Sequence, residues 1–217
     1  MEWLIRHGGN GEDIPGYDCK LSDRQPGGKN YIIGSVFIIY GLFVEFIYML
    51  DLMVMTKKKH RRLSCYKIMI VLGVYDMAAI SLNSILTGYF WITGANYCTN
   101  PTLMFVAGTV ALGLWCGACM NCFVLVINRT LDMWNKSIMQ ALFMDGKTYL
   151  ILLIPLAYSL YFCFFTSPLL FNSDATAWFF STFAPGHNHE LVGSFICTNS
   201  TNSITTIYYE KYPRSSL

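Results

Sequence analysis

LMFVAGTVALGLWCGACMNCFVLVI, Leu103 to Ile127, holds no Asp, Glu, Lys or Arg in twenty-five residues. A helix of that length rises about 37 Å, enough to cross the roughly 30 Å hydrocarbon core of a bilayer. Three more apolar runs flank it: Tyr31 to Met55, Ile68 to Trp91 and Tyr149 to Phe171. In hydrocarbon each backbone N–H and C=O must be paired within its own segment, so runs of this length predict helices. Charged residues make up 13% of the chain against about a quarter in soluble domains, and mean hydropathy is +0.41. The expected fold is an all-α integral membrane bundle of four transmembrane helices.

Basic residues set the expected orientation, because Lys and Arg near span ends stay on the cytoplasmic side. The link between the first two spans reads KKKHRR, Lys57 to Arg62, with Lys67 beyond it. The third link carries Arg129, Lys136 and Lys147, whereas the second, Ile92 to Thr102, carries no charge. Both basic links are therefore cytoplasmic. Residues 1–30 form an extracellular arm, 31–171 the bundle and 172–217 an extracellular, loop-like tail. No cleaved signal peptide is visible, and the first span would serve as the targeting signal. The basic cluster fixes topology and touches anionic lipid head groups, at about 1 kcal/mol per charge; a net charge of +2 does not describe a nucleic-acid binder.

Cysteines sort by compartment. Cys19, Cys98 and Cys197 fall outside, where a disulfide persists, and Cys98 with Cys197 is the expected pair, with Cys19 competing for either partner. Asn199-Ser200-Thr201 is an outer glycosylation acceptor; Asn128-Arg129-Thr130 and Asn135-Lys136-Ser137 fall on the inner face and should be silent. Cys116, Cys119 and Cys122 repeat at intervals of three along the third span. A zinc site needs four ligands, often two CxxC pairs, and no second pair exists; neither metal nor cofactor is expected, and close helix contact through small residues is the stronger reading. His187 and His189 form an isolated His-x-His in the tail.

Ionisable groups inside spans are costly and normally face the bundle interior or water. Glu45 and Asp51 lie in the first span, Asp51 near the interface beside Lys57. Asp76 and Asn83, seven residues apart in the second span, are expected to share a face and build an intramembrane polar seam. No His/Glu metal motif, facing pair of aspartates or Ser/His dyad supports an enzyme.

Asn128-Arg129 closes the third span and is similar to the Asp-Arg-Tyr region of seven-helix receptors, with Asn in place of the acid. Tyr66-Lys67-Ile68-Met69, Asn83-Ser84-Ile85-Leu86-Thr87-Gly88-Tyr89, Gly94-Ala95 before Tyr97-Cys98, and Gly113-Leu114-Trp115-Cys116-Gly117-Ala118-Cys119 stand in order ahead of it. Together they resemble the nematode serpentine chemoreceptors of the Srt class, with wider similarity from about Tyr31 to Phe171. The resemblance implies a rhodopsin-like seven-helix architecture, a small-molecule ligand among the outer helix halves, a heterotrimeric G protein at the inner face, and the plasma membrane of sensory cells. Carried onto this chain, Asn83, Tyr89, Trp91 and Trp115 become ligand-binding candidates, although Tyr89 and Trp91 equally suit an interfacial aromatic belt. Asn128 and Arg129 become the G-protein-facing candidates. Cys98 and Arg129 lie 31 residues apart, about a turn and a half more than rhodopsin-like receptors use. Leu191 to Leu217 holds no membrane-length apolar run, so the expectation is a receptor truncated after its fourth helix and unable to signal alone. The alternative is a four-span interaction or structural protein; Gly113-Leu114-Trp115 with Cys116 and Cys119 resembles the claudin signature, but there it occupies a large extracellular loop.

Overall fold

The structure, a computed structural model, describes residues 1–14, 17–20, 22, 24–60, 63–144 and 146–180. A short α1, Glu2–Arg6, and a 3-10 turn, Gly11–Asp13, lead to α2, Tyr31–Met55. The second span runs as α3, Ser64–Ile80, a π-helical turn, Ser81–Leu86, and α4, Thr87–Thr93. Then come α5, Pro101–Trp134, α6, Lys136–Phe143, and α7, Lys147–Phe165, followed by a hairpin of β1, Leu170–Asn172, and β2, Ala177–Phe179. Among the described residues, four helical segments are long and apolar enough to cross a membrane: Tyr31–Met55, Ser64–Thr93, Pro101–Trp134 and Lys147–Phe165. The end carrying the basic links is called inner here, the other outer.

Local chemistry sets the helix ends. Asn30 caps α2 by accepting from the Ile33 N–H at 3.0 Å, which meets one of the orphan donors of a first turn. Gly94 closes α4 at φ 68°, and the Ala95 N–H returns to the Phe90 carbonyl; a side chain there would be strained and would press on the Gly27 carbonyl. The fourth span ends six residues short of the expected boundary at Phe171. Thr166-Ser167-Pro168 stops it, because Pro168 has no N–H and disfavours helical geometry in the residue before it; the apolar residues beyond, Leu170 and Phe171, enter the hairpin instead.

The helix order follows from close approaches. α2 lies along the second span, and α5 runs between that span and α7. Gly34 of α2 and Gly88 of α4 face each other so closely that a Cβ on either would lie 2.6–2.7 Å from the other's carbonyl oxygen. On the far side, a Cβ at Gly108 would overlap the Leu169 carbonyl, one at Gly113 would sit 2.9 Å from Cys163 Cβ, and one at Gly117 would sit 2.4 Å from the Tyr75 ring. Lipid tails are as apolar as leucine, so helix association depends on such backbone proximity. The two runs of buried side chains lie at the ends. Ile68, Val124, Phe143 and Leu152 pack at the inner end, where α6 contributes Phe143.

The outer end is covered by a cap. Leu4, Ile14 and Cys19 from the N-terminal arm pack with Phe90, Trp91, Tyr97, Met104, Phe105 and Phe171. Cys98 pairs with Cys19, at a sequence separation of 79. The expected Cys98–Cys197 bond is thus corrected: the arm folds back over the helix ends and places Cys19 against Cys98. Cys197, Asn199, His187 and His189 lie outside the described residues. Asp174, at the hairpin turn, accepts from the Gly28 N–H at 2.7 Å and the Asn96 amide at 3.2 Å, so hairpin, arm and interhelical loop meet at one carboxylate.

Closing a loop of about 79 residues constrains the unfolded chain by roughly 4 kcal/mol. Cutting the chain between Lys57 and His60 should leave the two pieces joined without reductant and separate them with it. Cys19→Ser should separate them under both conditions, whereas Cys197→Ser should behave as the parent does, joined without reductant and separated with it; gel mobility of the cut protein reads the result.

Candidate functional site

Of the acids within the spanning helices, Glu45 and Asp76 are engaged across the seam between α2 and the second span. Tyr48 donates to Asp76 Oδ2 at 3.4 Å, and Ser81 donates to Glu45 Oε1 at 2.7 Å. Glu45 and Tyr48, three apart on α2, share one helix face, which aligns them with Ser81 and Asp76 on the antiparallel neighbour. Ser84 adds a bond to the Phe37 carbonyl at 2.6 Å. The expected Asp76–Asn83 seam is not formed: Asp76 is half-buried and turned to Tyr48, whereas Asn83 is exposed. The π-helical turn at Ser81–Leu86 accounts for this, since its i→i+5 bonding widens the turn and shifts everything beyond Ser81 out of the 3.6-residue phase. Tyr48 and Ser81 carried no mark in the sequence beyond their polar atoms within apolar runs.

The four ligand candidates have different surroundings, and no hydrogen bond or ring contact joins any two of them. Trp91 is buried in the outer cap, edge-on to Phe171 with ring centroids 5.7 Å apart. Phe90, Phe171 and Trp178 complete this aromatic group, and the Trp178 indole N–H donates to Thr87 Oγ1 at 3.3 Å. Tyr89 is 51% and Trp115 64% exposed, so both are open to whatever lies beside the bundle.

At the inner end the two neighbouring candidates separate in role. Asn128 is buried, and its amide donates to Ser64 Oγ at 3.0 Å, tying α5 to the first residue of α3. It does not face outward, because its turn of α5 packs against α3. Arg129 is exposed and lines an open concavity of about 550 Å³ with Leu125, Val126, Thr130, Met133 and Trp134. Asn135 then caps α6, accepting from the Ser137 and Ile138 N–H groups. Cys116, Cys119 and Cys122 are free thiols, the latter two exposed. The exposed positions of α5 form one stripe through Trp115, Cys119, Cys122, Val126 and Arg129, spaced by three or four residues.

The family model described as serpentine type 7TM GPCR chemoreceptor Srt matches residues 7–211. The chain belongs to the Srt family of serpentine chemoreceptors. It is 29% identical over 167 residues to serpentine receptor class T-55 of Caenorhabditis elegans, a stretch covering 74% of this chain and 46% of that relative. The chain thus spans about half the length of the curated relative it matches. No solved structure matches. Membership of this receptor family and the four apolar helices make the chain a multi-pass membrane protein.

Tyr97 ties the arm of this Srt chain to the cap. Its hydroxyl donates to the Gly11 carbonyl at 3.0 Å, and burial, followed by the nearby Tyr17 and Glu12, raises the phenol well above its ordinary value of 10.0. A raised phenol pKa leaves stability intact below the unfolded value and removes it as pH climbs above that value, because the unfolded chain ionises first. The cap should therefore hold to about pH 10 and loosen above it. Tyr97→Phe should lose about 1 kcal/mol at neutral pH while flattening the alkaline decline; melting curves from pH 7 to 11 measure both.

Proposed function

We propose that this Srt chain supplies the first four helices of a G-protein-coupled chemosensory receptor that recognises a small chemical ligand among its outer helix halves. One observation carries the reading: the exposed stripe of α5 holds Trp115 toward the outer side and Arg129 at the inner end. They are 14 residues apart, about 21 Å along a single helix, so one rigid element has an aromatic group at one level and a fixed cation at another. Asn83 and Tyr89, exposed on the second span, add a polar and an aromatic ligand contact, with Trp91 as part of the wall behind them. Arg129 contacts the heterotrimeric G protein, and Asn128, through Ser64, fixes the helix that presents it. In this reading the N-terminus is outside, the receptor resides in the plasma membrane of sensory cells, Asn199 is glycosylated, and signalling belongs to the intact seven-helix form. Ligand shifts the receptor between conformations only insofar as it binds them unequally, and α5 touches both ends of that exchange.

In cells expressing the intact form, Trp115→Ala should raise the half-maximal concentration of an activating chemical at least tenfold, about 1.4 kcal/mol, with surface expression unchanged. Arg129→Ala should abolish G-protein activation at every concentration. Normal coupling by the Arg129 variant would contradict the proposal; the readout is energy transfer between receptor and G-protein subunits.

A further inference from the structure

The middle of α5 contains a polar atom with nothing to bond. Asn121 is fully buried, and its Nδ2 donates to the Gly117 carbonyl one turn back at 3.0 Å. Its Oδ1 is enclosed and has no donor among the described residues. Exchanging the amide's O and N does not help, because Oδ1 would then face the Gly117 oxygen, acceptor against acceptor. In hydrocarbon an unsatisfied acceptor costs several kcal/mol.

The helix register places a second acceptor opposite. α5 and α7 run antiparallel: Gly113 faces Cys163 and Ser159, Gly117 faces Ser159, and Val124 shares a cluster with Leu152. Asn121 therefore comes level with Pro155, which is buried inside α7. A proline within a helix has no N–H for the carbonyl four residues earlier, so the Ile151 C=O is deprived of its helical partner at that turn. On the α3 side the same register brings up Val71, whose side chain has no donor. The register thus brings two acceptors to one level of the joint, and although the Tyr75 ring lies a turn away against Gly117, its hydroxyl makes no bond to Asn121 Oδ1.

We propose that one water molecule is held in the α5–α7 joint, donating one O–H to Asn121 Oδ1 and the other to the Ile151 carbonyl. Water is the small neutral group with two donors to match two acceptors, and it carries no charge into the bilayer middle, as an ammonium would. Buried waters characteristically satisfy such otherwise unpaired polar groups, and freed carbonyls near membrane prolines are commonly satisfied this way. The bridge would pin α7 to α5 at the proline break through an exchangeable link.

The test uses the full chain in lipid nanodiscs, with Asn121→Leu, Pro155→Ala and the double variant followed by thermal melting. With the bridge, Asn121→Leu lowers the melting temperature in the parent, where it strands the Ile151 carbonyl. It leaves the temperature unchanged or raised in Pro155→Ala, where the restored N–H takes that carbonyl. An equal rise in both backgrounds would overturn the proposal, since Asn121 would then be a lone orphan whose removal is simply favourable. On the unmutated chain, selective ¹⁵N-asparagine labelling should give magnetisation transfer from a bound water to the Asn121 side-chain amide. Its absence would overturn the proposal independently of how the variants fold.

Discussion

The bundle depends on backbone closeness along one face of α5. Gly108, Gly113 and Gly117 lie where a Cβ would collide with the Leu169 carbonyl, with Ser159 and Cys163, and with the Tyr75 ring. In water, helices of this composition would be driven together by burial; in lipid that drive is absent, and contact between small residues replaces it. This face decides the rest. With glycines turned to α3 and α7, the stripe through Trp115, Cys122 and Arg129 is necessarily the one left open.

Polar groups inside the spans follow the same constraint. Asp76 and Glu45 are each met by a hydroxyl across the α2 seam, Ser84 and Ser159 return their hydroxyls to backbone carbonyls of the neighbouring helix, and Asn128 reaches Ser64. Each bond of this kind contributes about 0.6–2 kcal/mol, less than a soluble core gains from a single large aromatic side chain. Collectively they fix which faces meet. Outside the bilayer the means change: a disulfide, the Asp174 carboxylate and an aromatic cluster fasten the arm and hairpin across the helix ends.

Much of this was readable from residue order, and the remainder resisted for identifiable reasons. Span existence was plain because twenty or more consecutive apolar residues have few other uses. The end of the fourth span was not, since Leu169, Leu170 and Phe171 look lipid-facing until Pro168 is given its full weight. A 3.6-residue period puts Asp76 and Asn83 on one face, and the π-helical turn between them breaks that period. Cys19 and Cys98 are joined by the fold of a polar arm that carries no periodic signal, so nothing in the residue order favours Cys19 over the expected Cys197 as the partner of Cys98. Asn128 and Arg129 are adjacent in sequence, and a helix turns adjacent residues 100° apart; one is consequently buried against α3 while the other is exposed. Ordered motifs identified the family, but they carry no information on which of their members converge in space.

Cross-linking in membranes tests the arrangement of α5 most directly, using the native Cys163 in a background where Cys116, Cys119 and Cys122 are replaced by alanine. Gly113→Cys should form a disulfide with Cys163 under mild oxidation, because the two Cβ positions face each other at 2.9 Å and a relaxation of about 1 Å brings them to disulfide spacing, and Trp115→Cys should not. A disulfide from position 115 in place of 113 would show that α5 turns its other face to α7 and would contradict the account.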